Sequence, residues 1–291
     1  MSWPFGFGAK RGTIMNKRWR GLIFFVLLIS GFFLLIYPNV KQLYGTHQIT
    51  KTVVEFKEEE KQYSELYDQM QAYNEQIALN QQSGLKDAWS FEHHDFDFSE
   101  LNTDEDMIGY ITIEKMKMEL PLYIGATVDN MNKGAVVLGQ TSMPIGGKNT
   151  NCVIAAHRQT YASPMFRDIE LLEAGDVIVI HNPWQQLEYE VVKAIAIEPD
   201  DIEAIKILEG QDMITLMTCH PYPESYQRYV VYAQRKGNEK IEVPYQGVEH
   251  VSSQSQLDIE QTLQNVGVIF FLIVLFLALA NRIYQYTHKG T

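Results

Sequence analysis

A thiol and a guanidinium lie at the facing ends of two apolar segments of the sequence. Cys219 ends the run MITLMTC (213–219), and Arg228 begins the run RYVVYAQR (228–235), with a polar loop containing two prolines between them. If the two runs are neighbouring antiparallel strands, the end of one lies beside the start of the next. A nearby guanidinium lowers a thiol pKa or donates hydrogen bonds to a developing oxyanion. A buried cysteine with an unrelated surface arginine is the commoner arrangement for such a pair.

His157 adds an acid–base group at a similar position. It ends the apolar run NCVIAAH (151–157) and precedes a polar loop. Histidine is the side chain that most often moves protons near neutral pH. Side chains of neighbouring strand residues point to opposite faces, so His220 is expected to point away from Cys219. A cysteine nucleophile, a histidine acid–base group and an arginine oxyanion donor together suit acyl transfer through a thioester.

The other candidates for chemistry are weaker. Cys152 lies in the middle of an apolar run, which is typical of a buried structural thiol, although a disulfide with Cys219 stays open. His181 also ends an apolar run and stays an alternative to His157. The chain has no H-E-x-x-H, EF-hand or paired C-x-x-C pattern, so we expect no metal site and no cofactor.

Eight short apolar runs, most of them separated by Gly, Pro, Asn and Asp, must position these residues. So many short strands with so few helices predict a mainly β fold, an eight-stranded closed β-barrel. One helix is predicted between the fourth and fifth strands, over PMFRDIELL (164–172). The predicted strands are 107–113, 119–124, 134–139, 151–157, 176–182, 187–198, 213–219 and 228–235.

The segment before the barrel has two parts. From Ile49 to Leu79, apolar residues recur every three or four positions, which predicts one long amphipathic helix. Residues 81–107 follow neither a helical nor a strand period and mix aromatic with acidic residues. A loop of this length in a compact domain is often a functional lid.

Two uncharged apolar runs stand apart from the rest, Gly21–Tyr37 and Val266–Ala280. Neither has polar residues at helical spacing, which favours membrane-spanning helices over buried core helices. The first run could instead be a cleaved signal peptide, but it is long for one and no A-x-A pattern follows it.

Charge predicts how the chain lies in the membrane. Five basic residues precede the first apolar run and two follow the second, with no acids in either end, so both ends are expected in the cytoplasm. Taking these seven charges from the net charge of −12 leaves about −19 for the segment between. Such an acidic exterior excludes nucleic acid as an expected partner.

The motifs together resemble those of sortases, the membrane-anchored cysteine transpeptidases of Gram-positive bacteria. TLMTC (215–219) is similar to the TLxTC signature of that family, AAHR (155–158) to its histidine at a strand end, and QRYVVYAQR (227–235) to its arginine at the start of the next strand. The resemblance covers about residues 50–240.

With an apolar run near each end, the chain resembles the pilus-assembling branch of the family, class C. Its lid carries the signature Asp-Pro-aromatic, and here Asp87, Ala88 and Trp89 stand at the matching place. Loss of the proline removes a restraint on φ, which puts the rigidity of the lid in question. The resemblance implies that Asp87 pairs with Arg228 and that Trp89 packs near Cys219.

The resemblance also implies an activity. Cys219 attacks the Thr–Gly carbonyl of an LPxTG-like sorting signal, Arg228 stabilises the oxyanion, and His157 protonates the leaving amine. Thr218 helps to orient the substrate or the thiol. A lysine of another pilin subunit resolves the acyl-enzyme, so the expected partners are pilins and the membrane.

The expected organisation follows from these assignments. Two alternatives stay open: a housekeeping sortase that anchors surface proteins to the cell wall, and a non-catalytic membrane-tethered barrel that binds peptides. The expected parts are a cytoplasmic N-terminus (1–20), a transmembrane helix (21–37), an N-terminal helix and lid (38–106), a catalytic β-barrel (107–236), a linker (237–262), a second transmembrane helix (263–281) and a cytoplasmic tail (282–291).

Overall fold

The computed structural model describes residues 17–58, 64–90, 107–160 and 163–288. The chain divides into two compact units, one that holds both apolar runs and one that is Val40–Thr262. The described helices are α1 (Lys17–Glu58), α2 (Ser64–Leu79), α3 (Val128–Lys133) and α4 (Gln254–Thr287).

The two apolar runs lie within α1 and α4. By length and composition, the segments Gly21–Glu58 and Gln254–Gln285 could each cross a membrane, with mean hydropathies of 2.4 and 2.5. None of the most apolar window of either helix is buried within the protein. Large apolar side chains such as Leu34 and Phe276 are exposed, which argues against the alternative of buried core helices.

The larger unit contains the predicted closed barrel of eight strands, and the mainly β fold is confirmed. Around the barrel the strands follow the order β1-β2-β3-β4-β7-β8-β6-β5. Only the β2–β3 and β4–β7 pairs are parallel. The strands are β1 (Met107–Ile113), β2 (Met118–Ile124), β3 (Ala135–Val137), β4 (Thr150–Ala155), β5 (Val177–His181), β6 (Gln186–Ile197), β7 (Asp212–His220) and β8 (Gln227–Arg235).

Both faces of β7 are buried, which explains why its sequence reads as a nearly continuous apolar run. Ile214 and Leu216 belong to one apolar cluster of the barrel, whereas Met213 and Met217 belong to a second cluster on the other face. The second cluster also contains Ala88 from the segment before β1. A strand with two buried faces loses the alternation of apolar and polar residues.

The amphipathic helix predicted over 49–79 is present as the end of α1 and the whole of α2, and residues 59–63 between them lie outside the described residues. Its apolar stripe is buried against the barrel, as the three- and four-residue spacing predicted. The buried members of the stripe in α1 and α2 are Val53, Phe56, Leu66, Met70 and Ile77.

The prediction of a helix over 164–172 was wrong. The backbone there forms tight turns that end in a 3₁₀ turn, Ile169–Leu171. Met165 has a positive φ of 43°, which no α-helix accommodates. The amide of Phe166 donates to the carbonyl of His157 at 3.1 Å instead of to a helical partner. A short helix that we did not predict, α3, begins after Thr127, whose side chain accepts a hydrogen bond from the amide of Asn130.

The linker expected over 237–262 lies on the barrel up to α4. The amide of Val248 donates to the carbonyl of Ala196 at 2.9 Å, and the Nε2 atom of Gln227 donates to the carbonyl of Glu249 at 3.1 Å. Val243 is buried in the second apolar cluster. The segment is therefore part of the folded unit.

The closure of the barrel provides a test of the fold. An alanine β-carbon at Gly109 would lie 2.1 Å from the carbonyl oxygen of His181, where β1 meets β5. We expect Gly109→Ala to lower the free energy of unfolding by about 3 kcal/mol, because the two strands must move apart. Denaturant unfolding of the full chain in detergent, followed by near-UV circular dichroism, measures the loss.

Gly21→Ala is the matched control, since a β-carbon there meets nothing within 4 Å. It should leave the unfolding midpoint of the barrel where it is in the unmodified chain. Equal midpoints for the two variants would contradict the close approach of β1 and β5.

Candidate active site

Cys219 and Arg228 are direct cross-strand partners. β7 and β8 are antiparallel neighbours, and the residue of β8 opposite Cys219 is Arg228. The side chain of Cys219 is half-buried, and Arg228 is 8% exposed. Strands β7 and β8 therefore bring a thiol and a buried cation to the same end of the barrel.

His157 reaches this end of the barrel from the other side of β7. β4 runs parallel to β7, and their paired positions end at Ala155 opposite Met217. His157 and Cys219 each lie two residues farther along, so the register places them at the same level. The amide of Ala156 continues the ladder by donating to the carbonyl of Met217 at 3.1 Å.

Thr218 links the strand that carries the thiol to the segment that carries the imidazole. Its side chain is 0% exposed, and its hydroxyl donates to the carbonyl of Ala156 at 2.8 Å. A hydroxyl that is buried and bonded in this way is not free to contact a bound peptide. The geometry therefore supports the orienting of Cys219 relative to His157 over direct orientation of the substrate.

The segment before β1 covers the guanidinium. The carboxylate of Asp87 accepts two hydrogen bonds from Arg228, from Nε and Nη2, each at 2.9 Å. The guanidinium carbon lies 4.6 Å from the centre of the Trp89 ring, in cation–π geometry. Ala88, the residue in the place of proline, is 0% exposed and begins the 3₁₀ turn Ala88–Ser90.

Only part of the predicted lid lies within the described residues. Of the loop predicted over 81–107, residues 91–106, which include His93 and His94, lie outside them. Leu85 and Ala88 are buried in the second apolar cluster, so the described part of the segment is docked on the barrel. The ion pair of Asp87 and Arg228 is made across 141 residues of sequence.

Burial keeps the thiol and the imidazole uncharged at rest. It raises the pKa of Cys219 to about 11, although Arg228 favours the thiolate and Asp87 opposes it. Burial also lowers the pKa of His157 below its ordinary value. At neutral pH the dominant form is a thiol beside a neutral imidazole, and the thiolate–imidazolium pair is a minor form.

Ser225 was missed by the sequence reasoning. Its carbonyl accepts a hydrogen bond from Nη1 of Arg228 at 3.2 Å, and its side chain hydrogen bonds with Cys219, which lowers the pKa of the thiol. Its φ is positive, at 62°. A serine in a polar loop carries no sequence signal of such contacts.

The alternative candidates lie elsewhere. Both cysteines are free, which rules out the disulfide, and Cys152 is buried in the middle of β4, where burial raises its pKa. His181 pairs with the first residue of β6, whereas Arg228 pairs with the last, so His181 lies at the opposite end of the barrel. It stacks on the ring of Tyr110 at 4.2 Å. His220 is fully buried, on the other face of β7 from Cys219.

Comparisons with known proteins agree with this geometry. The profile of the Sortase domain family matches residues 111–236. Sortase A of Bacillus anthracis is 32% identical over 125 residues, which are 43% of this chain and 58% of that protein. The match thus spans less than two thirds of the length of that relative.

Solved structures match over more of the chain. Sortase C from Clostridium perfringens is 32% identical with a TM-score of 0.53, and the match covers 65% of this chain and 99% of that one. Sortase C of Streptococcus pneumoniae, whose structure bears on catalysis and pilin substrate specificity, is 28% identical with a TM-score of 0.54, over 65% of this chain and 97% of that one. The chain belongs to the sortase family, and these structural relatives are class C sortases.

The charge of Asp87 provides a test of the resting state. Asp87→Asn removes an anion that disfavours the thiolate and loosens the hold on Arg228, so the pKa of Cys219 should fall. Each unit of fall raises the thiolate fraction about tenfold at pH values below the pKa. Iodoacetamide should therefore label Cys219 several-fold faster at pH 8, measured by intact mass.

Glu75→Gln, an exposed carboxylate of α2, is the charge-matched control and should not change the labelling rate. A second variant with both Asp87 and Trp89 changed to alanine tests shielding as well as charge and should label at least as fast as Asp87→Asn. Unchanged labelling in both variants would contradict a segment that restrains the thiol.

Proposed function

We propose that this protein is a membrane-bound cysteine transpeptidase that cleaves an LPxTG-like sorting signal through a thioacyl-enzyme and joins pilin subunits through a lysine amine. The observation that carries the proposal is the direct pairing of Cys219 with Arg228, with His157 two residues beyond the end of the neighbouring strand β4. Membership of the sortase family supports the same chemistry.

The first half-reaction uses each of the three side chains. The sulfur of Cys219 attacks the carbonyl carbon of the Thr–Gly bond, and its proton passes to His157. Nη and Nε groups of Arg228 donate hydrogen bonds to the oxyanion that forms. The C–N bond then breaks, His157 gives its proton to the leaving glycine amine, and a thioester remains on Cys219.

The second half-reaction reverses these transfers. A lysine amine of another subunit attacks the thioester carbonyl, and His157 takes a proton from that amine. The carbon–sulfur bond breaks, the thiolate of Cys219 takes that proton back from His157, and the new isopeptide bond remains. The guanidinium of Arg228 donates hydrogen bonds to Asp87 and is covered by Trp89. The segment that carries these two residues therefore acts as a lid, which must release Arg228 before the oxyanion can be bound.

Two features support pilin lysine as the acceptor. The structural relatives are sortases C, one of them studied for pilin substrate specificity. The chain also has two helices of membrane-spanning length and composition. A housekeeping role, with an amine of the cell-wall precursor as acceptor, is the second candidate. Sortase A of Bacillus anthracis is 32% identical to this chain where they match, the same value as for sortase C from Clostridium perfringens.

Charge supports a particular placement in the membrane. Both ends of the chain are basic and free of acids, so both lie in the cytoplasm, and the acidic barrel unit lies outside the cell. A sorting signal on an exported protein then meets the thiol on the outer side of the membrane. A non-catalytic barrel that only binds peptides would need no such arrangement of thiol, imidazole and guanidinium.

The two cysteines allow a matched test of the nucleophile. Cys219→Ala in the full chain should abolish cleavage of an LPxTG-containing peptide, a fall in kcat of at least about 10⁴-fold. Cys152→Ala should keep activity within about threefold, at the cost of a small cavity in the barrel. Turnover by Cys219→Ala would contradict the enzyme and favour the peptide-binding alternative.

The acceptor amine separates the two enzymatic roles. Purified full chain, incubated with a pilin that carries an LPxTG-like signal, should build a ladder of covalent polymers that survives boiling in detergent. The same pilin with its acceptor lysines changed to arginine should form acyl-enzyme but no ladder. Efficient transfer to a peptidoglycan stem peptide, with no ladder, would instead establish the housekeeping role.

A further inference from the structure

A buried carboxylate binds three separate parts of the chain near the candidate active site. Glu170 lies in the 3₁₀ turn between β4 and β5, and its side chain is 5% exposed. Its Oε1 atom accepts a hydrogen bond from Nη2 of Arg158 at 2.7 Å and from the hydroxyl of Ser253 at 2.8 Å, and lies 3.4 Å from Nδ1 of His220. Its Oε2 atom accepts a hydrogen bond from the hydroxyl of Ser252.

Two of these partners directly follow the candidate catalytic residues. Arg158 comes after His157, and His220 comes after Cys219. Both partners are buried, at 4% and 0% exposed. One carboxylate therefore contacts both the side chain that directly follows His157 and the side chain that directly follows Cys219.

The third part is the segment that leads into α4, the helix with the second apolar run. Besides Ser252 and Ser253, the first residue of α4 joins the cluster: Oε1 of Gln254 accepts a hydrogen bond from Nη2 of Arg158 at 3.3 Å. The Nε2 atom of Gln254 donates to Asp168 at 2.9 Å. The segment Ser252–Gln254 is thus attached to the same groups that flank the candidate catalytic residues.

The cluster is charged and closely surrounded. Burial alone would raise the pKa of Glu170, but its close contact with the ring of His220, the hydrogen bonds from Ser252 and Ser253 and the charge of Arg158 hold it well below the ordinary value. The rings of Tyr229 and His250 lie 5.3 and 5.2 Å from the ring of His220. A buried charged group that loses one partner forces its neighbours to rearrange, because the uncompensated charge is costly.

We propose that Glu170 is a positioning residue of the candidate active site, and that Ser252 and Ser253 are the device through which docking of the segment before α4 controls the placement of His157 relative to Cys219. The inference rests on the proposed function. It adds that the approach to the second apolar helix is part of the catalytic geometry, so that undocking of this segment slows acylation.

The mildest test removes the hydroxyl groups of Ser252 and Ser253 that bond to Glu170 and leaves the ion pair of Glu170 with Arg158 in place. Ser252→Ala with Ser253→Ala, in the full chain in detergent, should lower kcat for acyl-enzyme formation about tenfold, with KM changed less than twofold, because a small displacement of reacting groups mainly affects the chemical step. Glu170→Gln should have a larger effect, about 30-fold or more, if it folds.

The control is Asn74→Ala. Asn74 is also a buried polar side chain that ties an outer segment to the barrel, through the amide and the carbonyl of Met143, but it lines a cavity together with Thr150, the first residue of β4. The melting temperature of Asn74→Ala should fall at least as much as that of the serine variant, while its kcat stays within twofold of the value for the unmodified chain. A serine variant with the kcat of Asn74→Ala would overturn the positioning role.

A second measurement needs no peptide. Iodoacetamide labelling of Cys219, with Cys219→Ala giving the background from Cys152, should be at least threefold faster in the serine variant than in Asn74→Ala at the same interval below each melting temperature. Equal labelling rates would overturn the inference. Failure of the unmodified chain to form acyl-enzyme would count against the proposed function, and this labelling comparison would still decide whether the segment restrains the thiol.

Discussion

The hydrogen-bonded placement of β7 between β4 and β8 is the constraint on which the site depends. β4 is its parallel neighbour on one side and β8 its antiparallel neighbour on the other. Cys219 therefore has an arginine directly across one ladder and a histidine at the same level beyond the other. Because each face of β7 packs in its own apolar cluster, sliding it by one residue would exchange the side chains of the two clusters and also separate the three side chains of the site.

Desolvation determines the state in which this arrangement rests. Burial raises the pKa of the thiol and lowers that of the imidazole, so neither carries its reactive charge at neutral pH. The one permanent charge of the set, on Arg228, is matched by the carboxylate of Asp87 and covered by the ring of Trp89. The proposed chemistry thus begins with a movement that exchanges these contacts for contacts with a peptide.

Polar clusters at the same end of the barrel extend the site beyond its three candidate residues. Thr218 ties β7 to the segment before His157, and Glu170 ties the residues after His157 and Cys219 to the start of α4. Each of these groups is buried and hydrogen bonded, and such groups hold a geometry in place because leaving one unpaired is costly. Thr218 and His220 both lie on the face of β7 opposite Cys219, so both clusters support the site from that side of the strand.

Local patterns predicted the strands well and the turns poorly. All eight strands were located within a few residues, because apolar runs bounded by turn residues are a local signal. The helix expected over 164–172 failed for the opposite reason: Met165 has a positive φ, and the amide of Phe166 bonds to the carbonyl of His157, a contact that lies outside the segment. The buried role of Glu170 in that same turn had no local signal at all.

The sequence by itself determined which residue types end the strands, that the fold is a barrel, and that the two apolar runs stand apart from it. Strand periodicity, turn residues and uncharged length are all properties of short segments. Only the tertiary structure decided that β7 lies between β4 and β8, that Asp87 closes on Arg228, and that Ser252 and Ser253 meet Glu170. The contacts of Asp87, Ser252 and Ser253 join positions between 82 and 141 residues apart, and such positions come together only when the barrel closes and buries them.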